Sequence, residues 1–413
     1  MDARVKPAHD TDCVAAMIQI RELIRGPWRA VPVLGVTQIT AWGAIFYTPV
    51  LIVPLIAADR GWSMSFAMGG FSLGLLTAGI AARYIGSSID RFGGHVTMTC
   101  GSLGGALGLV LITHATNPIT YCLVWMLLGL SMAASLYDAA FASLGRIFGM
   151  GARRPITALT LAGGFASTVS WPVTHLLIES IGWRGCYLVY AAVLALINAP
   201  LHAFLLPRER VNAEAPQAGG AVKTPTKTVP AKGVTFVLVA SAFATYAFVP
   251  SGLSAHLLAI FQRNGIDAAT AVWIGALFGP AQVLARLIEF SFGRDVHPLW
   301  VARFAYGALL VAFLLLAALG ISPIVAAMFA LMFGGANGLT TIARGAVPLA
   351  LFGASGYGRL MGRLAAPFLI VQSAAPLVMA FVVERASDAA ALTLAAAFAA
   401  VAFICAILIR RPV

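Results

Sequence analysis

The sequence predicts an all-α membrane protein of twelve transmembrane helices arranged as two six-helix bundles. Three observations predict it. Only 10% of the 413 residues are Asp, Glu, Lys or Arg, while 60% are apolar. A helix needs roughly 20 apolar residues to cross a bilayer core, and about twelve stretches of that length run along the chain, too many for a soluble core to hide. A single long polar stretch, residues 207–232, divides them six and six. In lipid each segment must satisfy its own backbone polar groups, so helices are expected rather than open sheets.

Taken in order, residues 1–30 form an N-terminal segment expected in the cytoplasm. Its amphipathic run from Val14 to Leu23 is too short and too charged to span and suits an interfacial helix, unless Met17 is the true start. The first bundle, 31–206, holds spans near 31–56, 63–84, 97–114, 119–145, 155–178 and 185–206. The Pro, Gly, Thr and Lys content of 207–232 marks a flexible cytoplasmic linker. The second bundle, 233–413, holds spans near 233–261, 270–292, 299–320, 323–350, 361–383 and 388–409. Spans 9 and 12 are almost purely apolar, as lipid-facing helices should be. Pro49, Pro54, Pro172, Pro250, Pro280 and Pro376, with the pairs Gly163-Gly164 and Gly334-Gly335, allow bending and close helix contact.

The net charge of +12 is a matter of topology, not a nucleic-acid surface. Of 27 Lys and Arg, 21 fall on the termini and on the loops after spans 2, 4, 6, 8 and 10. Four (Arg60, Arg184, Arg263 and Arg385) fall on the opposite loops, and Arg286 and Arg344 lie within spans. The positive-inside rule then places both termini in the cytoplasm. The five cysteines are scattered, with no CxxC or Cys/His cluster, so no metal site is expected. No GxxxxGK[S/T] phosphate loop and no nucleophile–base pair is visible, which argues against an ATPase, an enzyme and a bound cofactor.

The halves repeat weakly. At an offset of 203, Ala78, Ala82, Arg83, Ile85, Ser88 and Arg91 match Ala281, Ala285, Arg286, Ile288, Ser291 and Arg294. Two parallel six-helix repeats are the layout of transporters that rock two bundles around a midplane site. The loop after span 2 reads Gly86-Ser-Ser-Ile-Asp90-Arg91-Phe-Gly93. Gly86 permits close helix approach, and a carboxylate such as Asp90 can face a helix N-terminus. Here the chain resembles the major facilitator superfamily, with Gly86, Asp90, Arg91 and Gly93 on its signature and Gly94 and His95 where the family usually has Arg or Lys. The resemblance implies the major facilitator fold, with this loop latching the halves in the outward-facing state. Gly61-Trp62-Ser63, Gly182-Trp183-Arg184 and Gln282-Val-Leu-Ala-Arg286 further resemble the monocarboxylate porter and oxalate–formate antiporter group. In that group a helix-8 arginine at the place of Arg286 holds the substrate carboxylate. Two departures stand out: Gln282 replaces the acid of monocarboxylate porters, and span 1 carries no lysine.

The charges inside spans admit two readings. A charge at the bilayer centre costs on the order of 3 kcal/mol, so each needs a partner or a function. One reading makes Arg286 or Arg344 a guanidinium clamp for a carboxylate, with Asp138 or Glu289 carrying a coupling proton. The other pairs Asp138 with Arg83 or Arg91, and Glu289 with Arg344, as ion locks. In the resembled fold helices 1, 4, 7 and 10 line the cavity, which adds Gln38, Trp42, Tyr137, Tyr246 and Asn337 to the substrate-binding candidates. Interhelical hydrogen bonding is the competing role for each. The expected function is secondary transport of a small, monocarboxylate-like organic anion by alternating access, coupled to a proton or counter-anion. The alternative is a drug or metabolite exporter. The expected setting is the bacterial inner (plasma) membrane, as a monomer whose partners are its substrate and the lipid bilayer.

Overall fold

The computed structural model describes residues 26–208, 232–253, 256–293 and 295–410. The run Val14 to Leu23 and most of the 207–232 linker lie outside the described residues. No strand occurs among the described residues. The apolar helices are α1 (Pro27–Arg60), α2 (Met64–Phe92) and α3 (Gly94–His114). A continuous apolar run, Pro118–Leu205, follows. Its 88 residues would stretch about 130 Å as one straight helix, several bilayer cores long. It folds instead into three crossings: α4 (Pro118–Ser135 and Tyr137–Phe148), α5 (153–181) and α6 (183–205). The breaks fall at the short turn Gly149–Ala152 and at Gly182, whose φ of 71° is one that glycine adopts readily. The second half holds α7 (Gly233–Leu253), α8 (Ala268–Phe292), α9 (Pro298–Leu319), α10 (Pro323–Phe352), α11 (Tyr357–Arg385) and α12 (Asp388–Leu408). The span expected at 233–261 holds two described helices. α7 is described to Leu253, and Leu257–Arg263 forms a short helix.

The loops after α2, α4, α8 and α10 share one face with Gly26 and Arg410, termed the basic face below. The two halves meet chiefly through α11 packed against α2 and α4, and more lightly through α5 against α8 and α10. Glycine permits the α2–α11 approach. A Cβ on Gly86 would strike the carbonyl oxygen of Gly358, and one on Gly362 would strike that of Ala82. Apolar side chains such as Leu103, Leu107 and Leu111 on α3, or Phe304, Val311 and Leu314 on α9, are exposed outward. That exposure suits lipid rather than water.

The internal repeat appears in the ion pairs of the opposite face. Asp59 accepts from Arg184 at 2.7 Å, tying the α1–α2 turn to α6. Arg263 donates to Asp388 at 2.6 Å, tying the α7–α8 segment to α12. Both pairs are 125 residues apart, and the second lies 204 residues beyond the first with the charges exchanged. The Asp59–Arg184 pair is half-exposed, so Arg184→Glu is expected to cost no more than about 1 kcal/mol. The double reversal Asp59→Arg with Arg184→Asp should recover it, as read by thermal unfolding in detergent.

Candidate functional site

Four helix irregularities build the site. In α1, Pro49 offers no N–H to the ladder, and residues Trp42–Tyr47 widen into a π turn. Thr48 closes that turn, its N–H and its hydroxyl both donating to the carbonyl of Gly43 at 3.1 and 2.7 Å. In α4, Leu136 is extended and interrupts the helix. The carbonyl of Ser135 is satisfied from another helix, by the Gln38 side-chain amide at 2.7 Å, as lipid demands of broken helices. The helix restarts at Tyr137 with Asp138 in its first turn, where a carboxylate is favoured. In α5, Gly163-Gly164 interrupts the ladder before the helix resumes at Ala166. In α8, Pro280 coincides with a break at Leu277, between Ala268–Ala276 and Phe278–Phe292.

Beyond that break, Gln282, Arg286 and Glu289 share one face of α8, as their spacing requires. α10 can lie close because Gly334 and Gly338 face the α8 backbone; a Cβ on either would come within 2.5 Å of the Phe278 or Gln282 carbonyl. Arg286 is 3% exposed. Its guanidinium donates to the Thr160 carbonyl at 2.9 Å, the Gln282 Oε1 at 3.2 Å, the Thr341 hydroxyl at 3.4 Å and the Gly338 carbonyl at 3.4 Å. Every acceptor is neutral. Among the described residues no carboxylate lies within ion-pair distance of it. A guanidinium has five N–H donors, and these bonds leave one, on Nη1, without an acceptor. Gly164 makes room for that nitrogen, since a Cβ there would collide with Nη1.

The hydrogen bonds continue from α8 to α10 and on to α7. Asn337 donates to the Gln282 Oε1 at 3.0 Å and accepts from the Tyr246 hydroxyl at 2.7 Å. On the other wall, Trp42 donates through Nε1 to the Gln38 Oε1 at 3.1 Å, and its ring lies 5.1 Å from that of Tyr137. Tyr137 is 8% exposed, and its hydroxyl is buried with no hydrogen-bond partner. Gly163 makes room for that hydroxyl as Gly164 does for Arg286. Neighbouring glycines thus bring an unpartnered hydroxyl and an uncompensated guanidinium together. All six substrate-binding candidates (Arg286, Tyr137, Asn337, Gln38, Trp42 and Tyr246) fall in these two adjoining networks.

The ion pairs differ from those the sequence implied. Asp138 pairs with Arg344 at 2.6 Å, not with Arg83 or Arg91. Arg83 bonds the Tyr84 hydroxyl and Arg91 covers the Phe92 ring, both local contacts on α2. Asp138 instead faces across to α10, at the position 206 residues on. Arg344 also lies 3.6 Å from the ring centre of Phe368 on α11. Glu289 pairs with Arg153 at 2.9 Å, not with Arg344, and accepts from the Thr157 hydroxyl at 3.2 Å. Arg153, Thr157, Thr160 and Gly164 recur along α5 at helical spacing and form a single strip against α8. The sequence reading missed this strip because Arg153 passes for an ordinary loop charge. Asp138 and Arg344 thus cancel and Glu289 and Arg153 cancel, while Arg286 has no carboxylate within ion-pair distance among the described residues.

In the loop after α2, Asp90 receives the Gly358 and Arg359 N–H groups at 2.9 and 2.7 Å, so its carboxylate caps the N-terminus of α11. Gly86 sits where α2 touches Gly358, and Gly93, at φ 91°, turns the chain into α3. Arg91 makes no contact to α11 among those described here, and it is Arg146 of α4 that donates to the Ile89 and Asp90 carbonyls.

Residues 34–353 match the sequence profile of the Major Facilitator Superfamily. The chain belongs to that superfamily. Its solved relatives agree in fold. The human organic anion transporter MFSD10 (TETRAN) superposes with a TM-score of 0.71 at 16% identity, over 93% of this chain and 99% of that one. The proton:xylose symporter XylE, bound to 6-bromo-6-deoxy-D-glucose, gives 0.67 at 11% identity, over 91% and 94%. Similar curated sequences include human monocarboxylate transporter 11, 29% identical over 160 residues, and Gallus gallus monocarboxylate transporter 3, 34% identical over 110. These matches cover 37% and 26% of the chain and only 30% and 20% of those relatives. The chain is a multi-pass membrane protein and a transporter of the major facilitator type.

Proposed function

We propose that this transporter moves a small, monocarboxylate-like organic anion by alternating access, with the substrate carboxylate bound at Arg286. The observation that carries the reading is the charge left over at Arg286. A buried guanidinium without a counter-ion is costly in a low-dielectric interior, and an anionic ligand is what would relieve that cost. The unsatisfied Nη1 donor and the Tyr137 hydroxyl beside it suit a carboxylate, which accepts several hydrogen bonds. The names of the curated relatives support the same class of substrate.

The halves, 31–206 and 233–413, are taken to rock about this site as rigid bundles. Asp138–Arg344, Arg153–Glu289 and the Asp90 cap would hold the basic face shut. That face is taken as cytoplasmic, with both termini, in a bacterial inner membrane. Asp138 or Glu289 is assigned the coupling proton, because losing either charge would remove the counter-charge of Arg344 or Arg153. Exchange for a counter-anion is the other source of drive. The ring-lined wall beside Tyr137 favours one competing reading, an exporter of apolar metabolites.

The test is uptake of radiolabelled lactate, pyruvate, oxalate, formate and aromatic acids into proteoliposomes, with and without a pH gradient. Saturable uptake that an inward proton gradient accelerates is expected. A folded protein that takes up none of them sinks the reading and moves the exporter forward. Gly164→Ala adds a sharper check, since its Cβ must displace the guanidinium. The apparent KM for the carboxylate is expected to rise roughly tenfold or more, with the maximal rate less affected.

A further inference from the structure

The rings beside the anion anchor outnumber what a two- or three-carbon acid can use. The π turn of α1 places Trp42, Phe46 and Tyr47 within one wide turn, with ring centres 4.6 Å (Trp42–Phe46), 5.9 Å (Trp42–Tyr47) and 5.4 Å (Phe46–Tyr47) apart. The cluster extends to Trp171 of α5, 6.3 Å from Tyr47, and to Tyr137 of α4, which itself stacks on Phe141 at 5.3 Å. Trp42, Phe46 and Tyr47 are each only partly buried, although Trp42 meets Tyr137 of α4, Tyr47 meets Trp171 of α5 and Phe46 meets Phe71 of α2. The Trp42 indole N–H is taken by Gln38, so what this residue still offers a ligand is ring surface. A π turn spends one residue more per turn than an α-helix and commonly marks a functional position. Here it gathers three aromatic side chains, of which Trp42 packs on the Tyr137 ring.

The charge balance sets the number of negative charges. Arg153 and Arg344 are each neutralised by a protein carboxylate, whereas among the described residues no carboxylate lies within ion-pair distance of Arg286. One monoanion matches the single charge of Arg286, whereas a dianion would bring one negative charge more than this guanidinium supplies.

We infer that the preferred substrate is a monocarboxylate carrying an aromatic ring, its carboxylate on Arg286 and the Tyr137 hydroxyl and its ring among Trp42, Phe46 and Tyr47. This rests on the anion reading of Arg286. Aromatic rings favour offset and edge-to-face packing beyond the gain from buried area alone, and two such contacts are worth roughly tenfold or more in affinity.

The experiment uses the full chain in proteoliposomes, with radiolabelled benzoate, phenylacetate and lactate each measured directly and unlabelled oxalate and cyclohexanecarboxylate as competitors. Benzoate or phenylacetate is expected to show an apparent KM at least tenfold below that of lactate. Cyclohexanecarboxylate should compete less well than benzoate, and oxalate least of all. Trp42→Leu should narrow the aryl-to-lactate ratio severalfold, while Trp42→Phe should preserve most of it. Lactate or oxalate binding as tightly as the aryl acids overturns the inference and leaves the Arg286 reading standing. An aryl-to-lactate ratio unchanged in Trp42→Leu also overturns it. Uptake of none of these acids overturns both, and the wild-type ratios decide the matter if the variants do not fold.

Discussion

Arg286→Ala is expected to lower carboxylate uptake by about a hundredfold or more while leaving the protein folded. Truncating one side of a desolvated charge contact costs about 2–5 kcal/mol, and 2.7 kcal/mol is about a hundredfold. The sign of the stability change separates function from scaffolding. If the guanidinium served to hold α5, α8 and α10 together, its removal would lower the melting temperature. The four neutral acceptors around it do not compensate a buried charge, so its loss should leave ligand-free stability unchanged or raised. Saturating substrate should stabilise wild type by about 2.7 kcal/mol at a hundred times its Kd and the variant not at all. Arg286→Lys keeps the charge but loses the planar fork, and should fall between the two. Thermal unfolding with and without substrate, run beside uptake, reads both quantities. A lowered ligand-free melting temperature with uptake retained would remove Arg286 from the site.

Much of this arrangement is legible in the residues because lipid makes charge conspicuous. Arg286 stands out among apolar neighbours, and the spacing of Gly86 and Asp90 anticipates both the close approach of α2 and the capped N-terminus of α11. What the residues do not reveal is where backbone breaks re-aim side chains. Gln38 is one polar residue among several in span 1 until the interruption at Leu136 creates a bare carbonyl for it. Pro49 announces a bend, but that the bend is a π turn gathering three rings depends on Thr48 closing onto Gly43. The partners of Asp138 and Glu289 were misjudged for a related reason. Candidates within one half, or on the nearest loop, look closest in sequence, whereas packing two repeats against each other brings residues 206 and 136 positions apart into contact. Arg153 gives no signal of its own. Only its spacing to Thr157, Thr160 and Gly164 sets it on the strip that meets α8.

Asp138→Asn should open the basic face. The Asp138–Arg344 pair joins the two halves, with side chains 19% and 11% exposed. Removing one partner of a fully buried pair costs about 3–5 kcal/mol. Partial exposure lowers that, and about 2–3 kcal/mol is the expected loss. The loss falls on the state in which the basic face is closed, because in the other state the halves are apart there and the pair is already broken. The equilibrium should therefore move toward the open basic face by roughly 30- to 150-fold. In a background with the five native cysteines replaced, a cysteine at Ile156, buried on α5 against Gly345 of α10 toward the basic face, should then react faster with a water-soluble maleimide, and one at Trp171, set toward the opposite end of α5, more slowly. The contact of Arg344 with Phe368 survives in Asp138→Asn, so the face is not expected to open completely. The reversed double variant, Asp138→Arg with Arg344→Asp, keeps an ion pair between α4 and α10 and should restore most of the closed population. Unchanged labelling at both positions in Asp138→Asn would show that the pair holds α4 to α10 in both states and closes neither face. The work of closure would then fall to Arg153–Glu289 and the Asp90 cap, where the same experiment with Glu289→Gln and Asp90→Asn would locate it.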